Sequence, residues 1–142
     1  MLTKLYSSDI LRLASTLQAA RLTEPDGTAR AQSKLCGSEL ELDVEMDGER
    51  VKDVALRVRA CALGQASAAV LEQGIVGTTL DEIVAARDSL AAMLKGDGEA
   101  PKGRFENLAL LAGVRDYPAR HQSVMLAWDA AVKAVQQARG GG

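Results

Sequence analysis

Apolar residues recur along this chain first with a helical period, then with a strand period, and then with a helical period again. Residues 4–20 have a helical spacing, and the turn-forming residues 24–27 follow them. The apolar positions of the first stretch are Leu5, Ile10, Leu13 and Leu17. This pattern predicts one helix followed by an exposed loop.

Residues 39–46 alternate strictly between carboxylates and apolar side chains. The acidic positions are Glu39, Glu41, Asp43 and Glu45, and the apolar positions are Leu40, Leu42, Val44 and Met46. Alternation with a period of two is typical of a strand that buries one face, so we expect a solvated acidic face with no catalytic role.

A hairpin is predicted after this strand, because Asp47-Gly48 is a turn sequence and residues 51–58 are rich in β-branched side chains. The apolar residues of both strands share one face only if the loop has three residues or a strand contains a bulge. We therefore expect the register that pairs Leu40 with Leu56.

The chain from Cys61 onward is predicted to be mostly helical, since alanine is concentrated there. A capping box at 79–82 predicts the start of a helix, and Pro118 suits a first helical turn. The predicted helices span residues 62–73, 79–94, 104–112 and 118–137, with a surface loop at 95–103. The order predicts an α+β fold: one domain over residues 1–142, with a small antiparallel sheet packed by four to five helices and a frayed tail at 138–142.

Composition narrows the class of function. The 142 residues are 47% hydrophobic and carry a formal charge of −2, with 3% aromatic residues. Nucleic-acid binders have a basic footprint or stacking aromatic residues, so we expect neither a nucleic-acid partner nor a membrane partner. With no long apolar run or signal peptide in the sequence, we expect a cytoplasmic location, where cysteines stay reduced.

The two cysteines, Cys36 and Cys61, are the first candidates for chemistry. One chain therefore cannot supply four thiolates. Both lie at the open end of the predicted hairpin, where their sulfur atoms would be about 5–8 Å apart. Cys61 also begins a predicted helix, whose N-terminal dipole favours a thiolate. Such a pair could bind a metal, carry sulfur or pack as two small apolar side chains.

His121 is the only histidine, and it lies on the apolar stripe of the last predicted helix. The stripe continues through Met125, Trp128, Val132 and Val135. A histidine at such a position is either structural or a ligand, and both interpretations stay open at this point.

Three segments carry a resemblance to a known family. They are residues 33–38 (SKLCGS), 61–68 (CALGQASA) and 113–128 (GVRDYPARHQSVMLAW). Together with the hairpin they are similar to the U-type iron–sulfur cluster assembly scaffolds, the NifU/IscU/SufU family, over about residues 4 to 137. The long segment after the second cysteine and the ending Leu-Ala-Trp favour the SufU branch.

The resemblance implies a site of three cysteines and one aspartate around a metal. It further implies that the cysteines receive sulfur as persulfide from a cysteine desulfurase, and build a transient [2Fe–2S] cluster or hold zinc. Carried over by position, Cys36 and Cys61 match the pattern, Ser38 takes the place of the aspartate, and Ser123 takes the place of the third cysteine. Serine is a poor ligand for iron or zinc, and His121 is the nearest further ligand candidate.

The function expected from this resemblance is a scaffold in iron–sulfur cluster assembly, a carrier and not an enzyme. Cys36 and Cys61 would hold the cluster or its sulfur, with His121 as an auxiliary ligand. The implied partners are a cysteine desulfurase and apo iron–sulfur proteins, and a homodimer would place four thiolates around one cluster. Two alternatives remain: a persulfide relay partner of a desulfurase, and a metal-free regulatory binding module.

Overall fold

A computed structural model describes residues 6–35, 37–96 and 98–140. The elements in chain order are helix α1 (Ser8–Ser15), strands β1 (Gly27–Gln32), β2 (Glu39–Asp47) and β3 (Arg50–Arg59), helices α2 (Ala62–Gly74) and α3 (Leu80–Lys95), 3₁₀ segments Gly103–Asp116 and Pro118–Arg120, and helix α4 (His121–Gly140). The strands form an antiparallel sheet in the order β1-β2-β3. The α+β class predicted from the sequence is confirmed.

Strand β1 occupies a region for which the sequence predicted only a loop. It pairs with β2 so that Gly27 lies opposite Val44 and Gln32 opposite Glu39. The sequence of β1, GTARAQ, contains no large apolar residue, so its alternation of small inward and polar outward side chains is not visible as a hydrophobic pattern. The expectation of a loop was wrong for these residues.

Residues 4 and 5 of the predicted helix over 4–20 lie outside the described residues, and over the rest helix α1 is shorter than predicted. The Ser7 hydroxyl accepts a hydrogen bond from the Ile10 N–H at 3.3 Å, and the helix ends at Ser15. The chain then runs along the free edge of β3, where the Ala20 N–H donates to the Leu56 carbonyl at 3.2 Å. Covering an open sheet edge takes precedence over continuing the helix.

The hairpin places its apolar residues on one face, as predicted, but the pairing differs by two residues. Leu40 lies opposite Val58 and not opposite Leu56. The turn is formed by residues 48–49, with Gly48 at φ 62°. A β-bulge lies beside it, because Glu45 pairs with Asp53 and Met46 with Val51, which leaves Lys52 of β3 as the extra residue. The bulge restores the common face that the turn alone would have lost.

The helical half follows the sequence closely. The capping box at α3 is present: the Thr79 hydroxyl accepts from the Glu82 N–H, and the Glu82 carboxylate accepts from the Thr79 N–H at 3.2 Å. The short helix predicted after residue 103 is a 3₁₀ segment, Gly103–Asp116. The last helix begins as a 3₁₀ turn at Pro118 and continues as α4 to Gly140, so that 138–140 are helical and 141–142 lie outside the described residues.

The core lies between the sheet and the helices. Helix α4 packs against β1 and β2, while α2 packs against β3 and α4. Trp128 of α4 is fully buried, and its ring meets the Phe105 ring edge-on with centroids 4.9 Å apart. In the described part of the chain, no helix is long and apolar enough to cross a bilayer.

Candidate functional site

Three side chains from different parts of the chain meet where β3 passes into α2. The Ser38 Oγ lies 3.3 Å from the Ser123 Oγ, and the Cys61 Sγ lies 3.6 Å from the same Ser123 oxygen. Ser38 and Ser123 are only 4% and 2% exposed, whereas Cys61 is partly open to solvent. The loop before β2, the start of α2 and the first turn of α4 therefore converge on one point.

Cys36 lies outside the described residues, but the loop around it is held on both sides. The Ser33 N–H donates to the Ser38 carbonyl at 2.8 Å, and the Gly37 N–H donates to the Ser33 carbonyl at 3.0 Å. The Ser33 hydroxyl also donates to the Gln122 side chain of α4 at 2.9 Å. These bonds fix the ends of the loop against α4, and the proximity of Cys36 to Cys61 stays a prediction.

Cys61 is the N-cap residue of α2. Its backbone is extended, with φ −65° and ψ 169°, and its carbonyl accepts the first helical bond from the Gln65 N–H. The sulfur makes no capping hydrogen bond to the helix; its partner is the Ser123 hydroxyl. The sulfur therefore lies at the start of α2 but is bonded across to α4.

Small residues on α2 let α4 approach closely enough to bring Ser123 to Cys61. A Cβ on Gly64 would overlap the Ser123 hydroxyl and come within 2.9 Å of the Ala60 Cβ. One turn further on, the Ser67 hydroxyl donates to the Val124 carbonyl at 2.6 Å and accepts from the Trp128 indole N–H at 3.0 Å. Sequence reasoning missed both positions; the signal was two small residues spaced one turn apart.

His121 is held by another part of the molecule. Its Nε2 lies 2.9 Å from the Val114 carbonyl and 3.2 Å from the Arg115 carbonyl, at the end of the first 3₁₀ segment. Both partners are acceptors, so Nε2 carries the proton and Nδ1 is the ring atom left for a metal. On a helix, positions 121 and 123 point about 200° apart. The ligand role of His121 stays a prediction.

The sequence predicted that the acidic side chains of β2 lie in solvent, but one of them is buried. Asp43 is 5% exposed and lies 3.0 Å from Arg57, with further hydrogen bonds from the Leu22 N–H and the Thr28 hydroxyl. Burial would raise the pKa of the Asp43 carboxyl, but the bonds from Arg57, Leu22 and Thr28 together hold that pKa below its ordinary value. The expectation of a solvated face is wrong for Asp43, which anchors the segment after α1.

The donor atoms of the site do not fit a resident zinc ion. Zinc in proteins is bound by thiolate, imidazole or carboxylate, and the described donors at this point are one thiol and two hydroxyls. Over residues 6–35, 37–96 and 98–140, no three His, Cys, Asp or Glu side chains are grouped closely enough to hold a metal. With Cys36 added, this point would have two thiols, fewer than the four ligands of a structural zinc site.

Comparison with known proteins places this geometry in a family. The chain is similar to an iron–sulfur cluster assembly scaffold protein IscU of Thermotoga maritima, with 26% identity over 94% of both chains. It is also similar to the zinc-dependent sulfurtransferase SufU of Bacillus subtilis, with 27% identity over 75% of this chain and 72% of that protein. Since relatives of both names match, the SufU branch stays a prediction.

A solved structure gives the same result at the level of the fold. The crystal structure of a nitrogen-fixing NifU-like protein (N-terminal) from Brucella abortus superposes with a TM-score of 0.95, at 41% identity and 99% coverage of both chains. The family model for the NifU-like N terminal domain matches residues 6–139, nearly the whole chain. The chain therefore belongs to the NifU-like N-terminal domain family.

Proposed function

We propose that this chain takes part in iron–sulfur cluster assembly and carries the sulfur, or a nascent cluster, on Cys36 and Cys61. The observation that carries the proposal is the meeting of the Cys61 thiol with Ser38 and Ser123 where three segments converge. Relatives named as iron–sulfur cluster assembly scaffolds support the same assignment. Under this proposal the chain is a carrier and not an enzyme. One relative is named a sulfurtransferase, and that name fits the second candidate described below.

Sulfur loading would proceed by exchange at Cys61. The Cys61 thiolate attacks the outer sulfur of a persulfide on a cysteine desulfurase, and the sulfur–sulfur bond of that persulfide breaks. The desulfurase cysteine leaves as a thiolate and Cys61 becomes the persulfide, so no external oxidant or reductant is needed. The Ser123 hydroxyl, at 3.6 Å, can donate a hydrogen bond to the attacking sulfur.

A cluster as cargo would need two copies of the chain. A [2Fe–2S] cluster takes four protein ligands, commonly four cysteine thiolates, and each chain contains two cysteines. Two chains that present Cys36 and Cys61 to each other supply the full set. The recipients would be apo iron–sulfur proteins, in the cytoplasm, with no nucleic acid or membrane involved.

A second candidate is a persulfide relay that passes sulfur on without storing a cluster. The serine hydroxyls at positions 38 and 123 favour it, because they leave one chain without the donors that would retain iron. Under this candidate, sulfur is found on a cysteine but no cluster forms.

One experiment tests both candidates. The purified chain is incubated anaerobically with a cysteine desulfurase and cysteine in two portions. One portion has no reductant and is read by mass spectrometry under non-reducing conditions; the other also receives ferrous iron and dithiothreitol, which reduces persulfide sulfur to sulfide, and is followed by visible absorption. We expect one added sulfur on Cys61, and cluster absorption with half a cluster per chain if the scaffold function holds. If mass spectrometry shows the sulfur adduct but the absorption spectrum shows no cluster band, the chain acts as a relay.

The control moves the thiol off the site without changing the cysteine count. The variant Cys61→Ser/Ser15→Cys keeps two cysteines, with the second on an exposed position of α1. We expect it to form no cluster and to lose the sulfur adduct of Cys61, so that any remaining adduct lies on Cys36. A wild-type chain that gains no sulfur and no cluster beside an active desulfurase contradicts the proposed function.

A further inference from the structure

Ser123 lies at the separation of a neighbouring metal ligand from both Ser38 and Cys61. In a tetrahedral zinc site, with Zn–S about 2.3 Å and Zn–O about 2.0–2.2 Å, neighbouring ligand atoms lie about 3.3–3.8 Å apart. The two separations here are 3.3 Å between the hydroxyls and 3.6 Å between the Cys61 sulfur and the Ser123 hydroxyl. The backbone therefore holds position 123 at ligand spacing from both position 38 and position 61.

The atoms at two of these positions are poor metal ligands. A serine hydroxyl is not ionised at neutral pH, and it binds zinc or ferrous iron much more weakly than thiolate or carboxylate does. Both hydroxyls are also nearly buried, at 4% and 2% exposure for Ser38 and Ser123. Their 3.3 Å separation allows one hydroxyl to donate to the other, which stabilises the pair without an ion.

We infer that Ser38 and Ser123 are specificity-determining residues: they preserve the geometry of a tetrahedral metal site and prevent one chain from retaining zinc. The sulfur of Cys61 is then handled beside two hydroxyls and not on a resident metal ion. The statement about sulfur rests on the proposed function, whereas the statement about zinc stands on the geometry and the donor atoms alone.

This inference implies that two substitutions are enough to build a metal site. Ser38→Asp supplies a carboxylate and Ser123→Cys a second thiolate at the described positions, next to Cys61. Loss of even an outer-shell partner costs about 10–100-fold in metal affinity, so replacing two ligands has a larger effect. We expect the double variant to bind one zinc ion per chain at least about 100-fold more tightly than the wild type.

The measurement is a competition titration of zinc against a chromophoric chelator, repeated with cobalt(II), whose visible bands report tetrahedral thiolate coordination. Circular dichroism and a thermal melt establish that each variant is folded. Ser123→Cys alone is the smaller change, and it should give an intermediate zinc affinity. It also tests whether a cysteine fits at position 123, where the space next to Gly64 is tight. Cys61→Ser added to the double variant should remove the tight binding.

A matched control adds the same two donors away from the site, as Ser15→Asp/Ser89→Cys on α1 and α3. This variant should bind zinc as weakly as the wild type. The inference is overturned if the wild type binds zinc with an affinity within tenfold of that of the Ser38→Asp/Ser123→Cys variant, at any stoichiometry. A folded double variant without tight binding overturns it as well. Neither result depends on a desulfurase, so failure here is distinct from failure of the proposed function.

Discussion

Gly64 controls the distance between α2 and α4 at the site. An alanine in a helix is favoured over glycine by up to about 1 kcal/mol, so Gly64→Ala would stabilise the chain if the site had room. A Cβ there overlaps the Ser123 hydroxyl, and overpacking of this kind costs about 1–3 kcal/mol. We expect Gly64→Ala to lower the free energy of unfolding, measured by urea denaturation with Trp128 fluorescence.

The matched control for that substitution is Gly113→Ala. Gly113 is exposed, and a Cβ there meets no atom within 4 Å. Its free energy of unfolding should stay close to that of the wild type. An equally stable or more stable Gly64→Ala variant would mean that α2 and α4 are not in tight contact at Ser123.

Ser67 links α2 to α4 through the Trp128 indole, and its removal should be costly. Ser67→Ala leaves a fully buried N–H without its partner, which costs about 1–3 kcal/mol of stability. We expect most of this loss to disappear when Ser67→Ala is made in a Trp128→Phe background, since no N–H is then stranded. Urea unfolding followed by circular dichroism measures this cycle; equal losses in both backgrounds would refute the linkage.

Some residues of the site could be predicted from the sequence, and others could not. Ser38 and Ser123 were placed beside Cys61 by resemblance, because the family motifs fix their positions along the chain. The small residues Gly64 and Ser67 are visible in the sequence as a pair one turn apart, but the clearance at Gly64 was not predictable. It depends on how closely two helices approach, and residue spacing within one helix does not determine that distance.

At the scale of elements, Asp43 and Arg57 join β2, β3 and the segment that follows α1. Arg57 donates to both carboxylate oxygens of Asp43 at 3.0 Å and also to the Ala20 carbonyl. Removing one partner of a buried pair costs about 3–5 kcal/mol when the other charge is left uncompensated. We expect Asp43→Asn to cost about 3 kcal/mol, the low end, because Arg57 keeps Glu41 at 3.8 Å and is 15% exposed.

Arg59→Ala is the control for this pair. Arg59 is 84% exposed and lies 3.4 Å from Glu39, so its loss should change stability by less than about 1 kcal/mol. Both variants are compared by urea unfolding at neutral pH. If Asp43→Asn is as mild as Arg59→Ala, the pair does not anchor the segment after α1.

Elements with their own sequence pattern were predictable, and those defined by contact with other elements were not. The capping box at Thr79 and the alternation of β2 are local, and both are present as expected. Strand β1 depends on pairing with β2 and on Gly27 lying against the Ala134 carbonyl of α4. The hairpin register depends on a bulge near Glu45. The alternation of apolar and acidic residues in β2 is compatible with a bulge at several positions, so it does not determine the register.

Across the whole molecule, three partly or largely buried carboxyls on different elements respond to pH in opposite directions. Burial raises the pKa of Glu72 on α2, against a hydrogen bond from the Gln18 backbone, and burial likewise raises the pKa of Asp129 on α4 despite Arg87 and Lys133. The pKa of Asp43 is lowered. Asp43 therefore stabilises the fold above the ordinary carboxyl pKa of about 4, and this contribution is lost as the pH falls through its lowered pKa.

Glu72 and Asp129 contribute in the opposite sense, and this gives a prediction for the pH dependence of stability. A group with a raised pKa binds its proton more tightly in the folded state, so its contribution is complete below the ordinary pKa and is lost as pH rises through the raised one. We expect the free energy of unfolding to decline from about pH 4 upward through the raised pKa values. The double variant Glu72→Gln/Asp129→Asn should flatten that decline, as measured by urea unfolding across this pH range.

The control is the exposed pair Asp47→Asn/Glu99→Gln, which should leave the decline unchanged. A decline that persists in Glu72→Gln/Asp129→Asn would assign it to other groups, whereas its loss would show that two helices packed against the same core carry carboxyls that favour the protonated form.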